Sequence, residues 1–294
     1  MNVQLLIVDP QNDFVVADDG HGHHGSLVVK GAVDDMARVA AMIKRIGPKL
    51  DDIHVTMDSH QTIGIERPRW WVRVSDRSHA APYTVLGIHP DGKRIVKVEF
   101  PAGAPVFTDE EYTTYIPSFL HKGGPTGAGS FGYLQAIMAK GLFHVVWPEH
   151  CRVGSWGWAV VEELEDALHQ WEWDQFGRVV YVVKGNNPWT EHYGAVCAEV
   201  PDPADPSTQV NTDFVTTLAK ADIIAITGEA LSHCVATTVR GTADNFVDSR
   251  YIEKMVLLTD ATSNVPNFEW MGDKFLKDMK AKGMKTSTTL EFLA

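Results

Sequence analysis

The chain has 294 residues, 44% of them hydrophobic and 22% charged, which excludes a disordered or fibrous protein and allows one substantial core or two small ones. Twenty-six basic against thirty-eight acidic residues leave a net charge of −12, so nucleic acid and anionic membrane surfaces are poor partners, whereas a small neutral substrate is indifferent to that charge. Three widely spaced cysteines make no disulfide framework and fit a reducing compartment. No apolar run approaches the ~18 residues needed to span a bilayer, and the first residues meet charge too early for a secretory signal, so the expectation is a cytoplasmic protein.

In chain order, VQLLIVD at 3–9 reads as a buried strand, and a helix is expected over 33–46. DIHVTMD at 52–58 is the second strand and FHVVW at 143–147 the third, followed by a helix over 160–170. RVVYVVK at 178–184, ADIIAIT at 221–227 and KMVLLTD at 254–260 complete the strands, with helices over 213–220, 234–246 and 271–280. This alternation predicts an α/β fold of three layers, α/β/α, around a central mostly parallel sheet. The interval of about 67–141 breaks it. RWWVRV, the strand-like KRIVKVEF, the glycine-rich HKGGPTGAGSFG and a helix over YLQAIMAKG predict an inserted subdomain or lid in an otherwise single domain. GAGSFG follows no strand suited to a dinucleotide fingerprint and reads as a flexible loop.

Ligands of open parallel sheets sit beyond the carboxyl ends of the strands, so Asp9, Asp58, Trp147, Lys184 and the turn before Cys234 are expected to converge. Cys234 lies where a strand passes into a helix, a position at which unpaired N–H groups favour a thiolate, with Ser232 as the expected helix cap. A carboxylate, an ammonium and a thiol from three strand ends supply an acid–base partner, a cation and a nucleophile. Asp58 and His60, two residues apart in extended chain, point the same way and can share a metal ion. His150, in WPEHC at 147–151, offers a third ligand, and Glu66 or water a fourth. Mixed carboxylate and imidazole ligands suit zinc, iron or manganese. The HGHH cluster at 21–24 reads as a solvated loop.

Taken together, IVDPQNDF at 7–14, GSLVVKGA at 25–32, DSH at 58–60, WPEHC at 147–151, KGNNPWTEHYGA at 184–195 and GEALSHCV at 228–235 resemble the isochorismatase-like cysteine hydrolases, and within them the nicotinamidases. The blocks fall in the family's order and cover most of the chain outside the insertion. The resemblance implies a catalytic triad of Asp9, Lys184 and Cys234. It also implies a non-proline cis peptide between Glu229 and Ala230, and an oxyanion site made by the N–H groups of Ala230 and Cys234. By the same likeness one divalent metal, zinc first with iron or manganese as alternatives, binds at Asp58, His60 and His150. Phe14, Trp147, Tyr193 and His233 take the places of the aromatic substrate pocket. The chain departs from the pattern in QTIGIERPRWW, where many relatives have a further histidine, and in carrying Glu229 for an aliphatic residue and Ser232 for an aspartate. The reaction implied is hydrolysis of nicotinamide to nicotinate and ammonia through a thioester, by an enzyme expected to be a homo-oligomer. Hydrolysis of another amide of carbamoyl or aromatic type, metal-activated water attack, and a ligand-binding scaffold without turnover remain as alternatives.

Overall fold

The computed structural model describes residues 1–101, 104–108, 114–118 and 124–294. Its elements in chain order are β1 Val3–Val8, α1 Asn12–Val15, α2 Ala32–Ile46, β2 Asp52–Asp58, β3 Trp71–Arg73, β4 Val85–Ile88, β5 Ile95–Glu99, β6 Val106–Phe107, β7 Thr114–Pro117, α3 Gly129–Ala139, β8 His144–Val145, α4 Glu162–Gln175, β9 Val180–Lys184, α5 Thr212–Ala219, β10 Ile223–Gly228, α6 Ala236–Asn245, β11 Met255–Leu258, α7 Glu269–Ala281 and β12 Lys285–Ser287. Six strands pair in the order β12-β11-β10-β1-β2-β9, every neighbouring pair parallel.

The central strand shows why the sequence folds in three layers. Successive side chains of a strand point to opposite faces. Val3, Leu5 and Ile7 of β1 pack into one core with residues of α2 and α4, whereas Leu6 and Val8 pack into another with residues of α5, α6 and α7. A strand buried on both faces has no polar alternation, and VQLLIV is buried throughout. α2 is the clearest amphipathic helix: Met36, Val39, Ala40, Ile43 and Ile46 face the sheet, and Lys44 and Arg45 complement its last turn.

The interval after β2 builds a second sheet, ordered β3-β7-β5-β4-β8 with β6 on β5, and its sheet pairings are antiparallel. Trp70, Trp71, Leu86, Ile95, Tyr133 and Leu134 form its separate core. Two expectations are corrected here. FHVVW contributes β8, which pairs antiparallel with β4 in the smaller sheet and not with the parallel one. GSFG is not a loop, because α3 starts at Gly129 and Ser130 accepts a hydrogen bond from the Trp70 indole at 2.8 Å. His121, Lys122 and Gly123 of the glycine-rich segment lie outside the described residues. Among the described residues no helix is long and apolar enough to cross a membrane.

Candidate active site

The functional side chains stand at the carboxyl ends of four adjacent strands, as open parallel sheets place them. Asp9 follows β1, Asp58 closes β2, Lys184 closes β9, and the turn after β10 carries residues 229–234. Asp58 and Lys184 are register partners across β2 and β9. Asp9 leaves its strand with φ 46°, its N–H held by the Thr56 carbonyl at 3.1 Å, while the Thr56 hydroxyl donates to Asp9 Oδ1 at 2.5 Å. These contacts aim the second carboxylate oxygen at Lys184 Nζ, 2.9 Å away. At the end of β10, Gly228 has φ 113°, and a Cβ there would overlap the Val8 carbonyl, so only glycine lets the turn that leads to Cys234 pass this close to β1. The cis bond between Glu229 and Ala230 is present.

Lys184 joins two groups that the sequence presented separately. Its Nζ lies 2.9 Å from Asp9 Oδ2, 2.9 Å from Asp58 Oδ1, 3.2 Å from the His192 carbonyl oxygen and 3.8 Å from Cys234 Sγ. An ammonium has three N–H donors; Asp58, the His192 carbonyl and the Cys234 sulfur accept them, and the Asp9 oxygen meets the same charge as an ion pair. Lys184 is 3% exposed. Burial opposes its charge, but Asp58 and Asp9 outweigh that and hold it well above the usual lysine range. Burial pushes the Cys234 thiol well up, against the pull of Lys184, and raises Asp9 as well. Burial thus works against the thiolate that a helix terminus favours, and the Lys184 charge works for it. Leu231–Val235 forms one π-helical turn ahead of α6. Ser232 caps nothing: its hydroxyl lies 2.9 Å from His233 Nδ1 and accepts from the Val265 N–H at 3.1 Å.

Asp58, His60 and His150 bring three ligand atoms within 4.8 Å of one another, all on buried residues. His60 Nε2 and His150 Nε2 lie 2.9 and 3.1 Å from the same oxygen, Asp58 Oδ2. The outer ring nitrogens face acceptors, His60 Nδ1 the Glu66 carboxylate at 3.3 Å and His150 Nδ1 the Pro148 carbonyl at 2.8 Å. With protons assigned to those outer nitrogens, two Nε2 lone pairs and a carboxylate oxygen converge, a donor set that fits a divalent cation. Burial opposes a charge on His60, yet Asp58 and Glu66 raise its pKa to about 10, so the cluster attracts positive charge in the form of a proton or a metal ion. Glu66 is not a fourth ligand in this arrangement. Its carboxylate stands on the far side of the His60 ring and pairs with Arg67 Nε at 3.0 Å.

One cavity connects the two groups. Cys234, Lys184, Ala230, Asp58 and His150 line it, together with Phe14, Trp147, Tyr193 and His233. The Trp147 indole donates to Tyr193 Oη at 2.8 Å and meets the His233 ring edge to face at 5.2 Å. His233, with its pKa lowered to about 4 by burial, is a neutral part of this wall. Leu27, Val29, Glu191 and Val265 also line the cavity and were not singled out from sequence. Phe268, stacked edge to face on His233 at 4.9 Å, backs it from behind. LVV in GSLVVKGA signals apolar packing without saying against what; Glu191 stands inside KGNNPWTEHYGA without a role to mark it, and nothing near Phe268 distinguishes it. HGHH follows its expectation, with exposed histidines and His23 paired to Asp19 at 2.6 Å.

Glu191 in the cavity wall and Glu199 nearby are buried carboxyls raised to about 8 and about 7, in both cases chiefly by burial. A carboxyl raised in the folded state gives up stability as pH climbs from its unfolded value through its folded one. Their contribution to the unfolding free energy should therefore decline between pH 4.5 and about 8, and wild type should lose stability relative to Glu191→Gln with Glu199→Gln in denaturant titrations across the range. An unchanged slope would show that these groups ionise as freely folded as unfolded.

No family model matches the sequence, and no curated protein matches it significantly. Similarity is found among solved structures. The yeast nicotinamidase has 18% sequence identity, a TM-score of 0.60, and coverage of 97% of this chain and 98% of its own. A nicotinamidase pyrazinamidase from Acinetobacter baumanii has 15% identity, a TM-score of 0.59, and coverage of 99% and 98%. The pyrazinamidase of Pyrococcus horikoshii, solved in complex with zinc, has 18% identity, a TM-score of 0.51, and coverage of 98% and 99%. Over nearly its whole length the chain thus has the fold of these proteins.

Proposed function

We propose that the protein is a cysteine amidohydrolase that converts nicotinamide and water to nicotinate and ammonia. The observation that carries this reading is the contact of Asp9, Lys184 and Cys234 at three strand ends, beside an aromatic cavity that Asp58 and His150 also line. A flat heteroaromatic ring suits a wall of Trp147, Tyr193, His233 and Phe14. That the structural neighbours are nicotinamidases supports the same substrate class.

In this reaction Asp9 accepts the thiol proton as Cys234 Sγ bonds to the carboxamide carbon. The carbonyl oxygen takes the displaced electron pair, and the N–H groups of Ala230 and Cys234 stabilise it, an interaction worth about 2.7–4 kcal/mol per donor in other hydrolases. Asp9 returns the proton to the nitrogen, the C–N bond breaks and ammonia leaves a thioester. A water molecule then gives a proton to Asp9 and bonds to the acyl carbon. As the C–S bond breaks, that proton returns to sulfur. Lys184 keeps the Asp9 carboxylate in place and lowers the cost of negative charge on sulfur. Asp58, His60 and His150 would hold one divalent metal, zinc or else iron or manganese, whose Lewis acidity offers an anchor for the pyridine nitrogen.

The test is ammonia release by the purified protein from nicotinamide, pyrazinamide, benzamide and a carbamoyl compound. Turnover of nicotinamide and pyrazinamide well above benzamide is expected, because benzamide lacks the ring nitrogen. Preference for the carbamoyl compound would move the assignment to another amide, and absence of turnover on all four would favour a binding scaffold.

A further inference from the structure

We propose that Glu66 and Arg67 form a buried brace that positions both histidines of the metal cluster, Glu66 acting on His60 and Arg67 on His150. The inference rests on the metal site proposed above. The two side chains are 2% and 1% exposed, and Arg67 is among the largest fully buried residues of the described chain. A buried guanidinium is costly unless its hydrogens are taken up, so its partners indicate what it is there to hold. They are four: Glu66 Oε1 forms an ion pair 3.0 Å from its Nε, the Pro148 carbonyl accepts from Nη1 at 3.1 Å, the His150 carbonyl accepts from Nη2 at 2.7 Å, and Nη1 also lies 3.4 Å from His150 Nδ1.

The same atoms serve the histidine rings. Glu66 Oε1, which Arg67 faces, also faces His60 Nδ1 at 3.3 Å. The Pro148 oxygen that accepts from Arg67 also faces His150 Nδ1 at 2.8 Å. Each outer ring nitrogen thus meets an acceptor that Arg67 also touches, and Arg67 Nη1 lies 3.4 Å from His150 Nδ1 itself, so the dipeptide sets where each ring stands with its Nε2 turned toward Asp58 Oδ2. The Glu66 carbonyl accepts from the Trp147 N–H at 2.8 Å, tying the brace to the segment that carries His150. His60 and His150 lie ninety residues apart in the chain, and one Glu-Arg dipeptide fixes the angle between their rings, 77° with centroids 4.9 Å apart. Neither Glu66 nor Arg67 belongs to the cluster of converging ligand atoms, so both are positioning residues.

Zinc affinity measured by competition with a chromophoric chelator tests the brace without reference to turnover. Partners of this kind typically change metal affinity by ~10–100-fold, and a loss in that range is expected for Glu66→Gln. Because a single substitution leaves Arg67 buried without its countercharge, Glu66→Gln with Arg67→Met removes both charges and keeps the test open if the single variant does not fold. It should show the same loss. The visible absorption of bound Co²⁺ should also shift in both variants, since ring orientation sets the ligand field. Wild-type zinc affinity and an unchanged Co²⁺ spectrum in either folded variant would overturn the brace. Asp58→Ala separates the two levels: if wild type binds no zinc that this substitution removes, the metal reading falls and the brace with it.

Discussion

Replacing Cys234 by alanine is expected to abolish ammonia release from nicotinamide, by on the order of 10⁴-fold or more, while zinc content stays at the wild-type level. The magnitude follows from the division of labour in the site. Cys234 Sγ lies beside Lys184 and Asp9, whereas the converging ligand atoms belong to Asp58, His60 and His150, and none of those is a sulfur. In the proposed mechanism alanine removes the atom that forms the covalent bond and leaves every candidate ligand atom in place. Were an ion-bound water the nucleophile, the substitution would cost little and a chelator would cost everything. Turnover by Cys234→Ala above that of buffer would remove the thiol from the mechanism. Asp9→Asn is the companion measurement. Burial favours the protonated thiol, so in the proposed mechanism its proton passes to a neighbour as the C–S bond forms, and Asp9, on the same ammonium, is the base at hand. An amide in that place cannot take it, and a comparable loss is expected.

Much of this arrangement was legible in the chain because strand ends are legible. Apolar runs that stop at a charged or reactive residue, LLIVD at Asp9, VTMD at Asp58 and YVVK at Lys184, mark where a parallel sheet delivers its chemistry, and the register of β2 on β9 sets Asp58 beside Lys184. What was not legible depends on pairing and packing. FHVVW is as apolar as a central strand, but its partner is β4, and nothing local to the run records which sheet edge receives it. GSFG is poor in intrinsic helix propensity, yet α3 includes it because the buried Ser130, Tyr133 and Leu134 anchor that turn among the tryptophans of the smaller sheet. Glu66 was expected among the metal ligands because it follows the DSH loop closely, and spacing cannot tell which side of an imidazole ring a carboxylate will occupy. β12, three residues of KTS, carries too little apolar character to signal a strand; it forms because the edge of β11 is there to pair with.

Replacing Lys184 by methionine is expected to cost the fold about 3–5 kcal/mol at neutral pH and to reduce turnover severely, because it breaks a buried ion cluster from its centre. Asp9 is 0% and Asp58 3% exposed, and each has a carboxylate oxygen 2.9 Å from Lys184 Nζ. Without the ammonium, two buried carboxylates face each other, Asp58 keeping the His60 ring beside it and Asp9 keeping no cation. The pH dependence distinguishes this cause from loss of packing. Lys184 is held above its ordinary value, so its contribution is complete below the unfolded lysine pKa and is lost only as pH rises through the higher folded one. In wild type, the cluster's cation is therefore in place throughout the neutral range. In the variant, Asp9 can relieve the conflict by taking a proton, and burial together with the Asp58 charge already raises it. The difference in unfolding free energy between wild type and Lys184→Met should accordingly be largest near neutrality and shrink as pH falls toward the carboxylate range. Urea titrations in the presence of chelator, at several pH values, measure it directly. A difference that stays constant with pH would mean that the methionine merely fits badly, and that the ammonium is not what keeps Asp9 and Asp58 together.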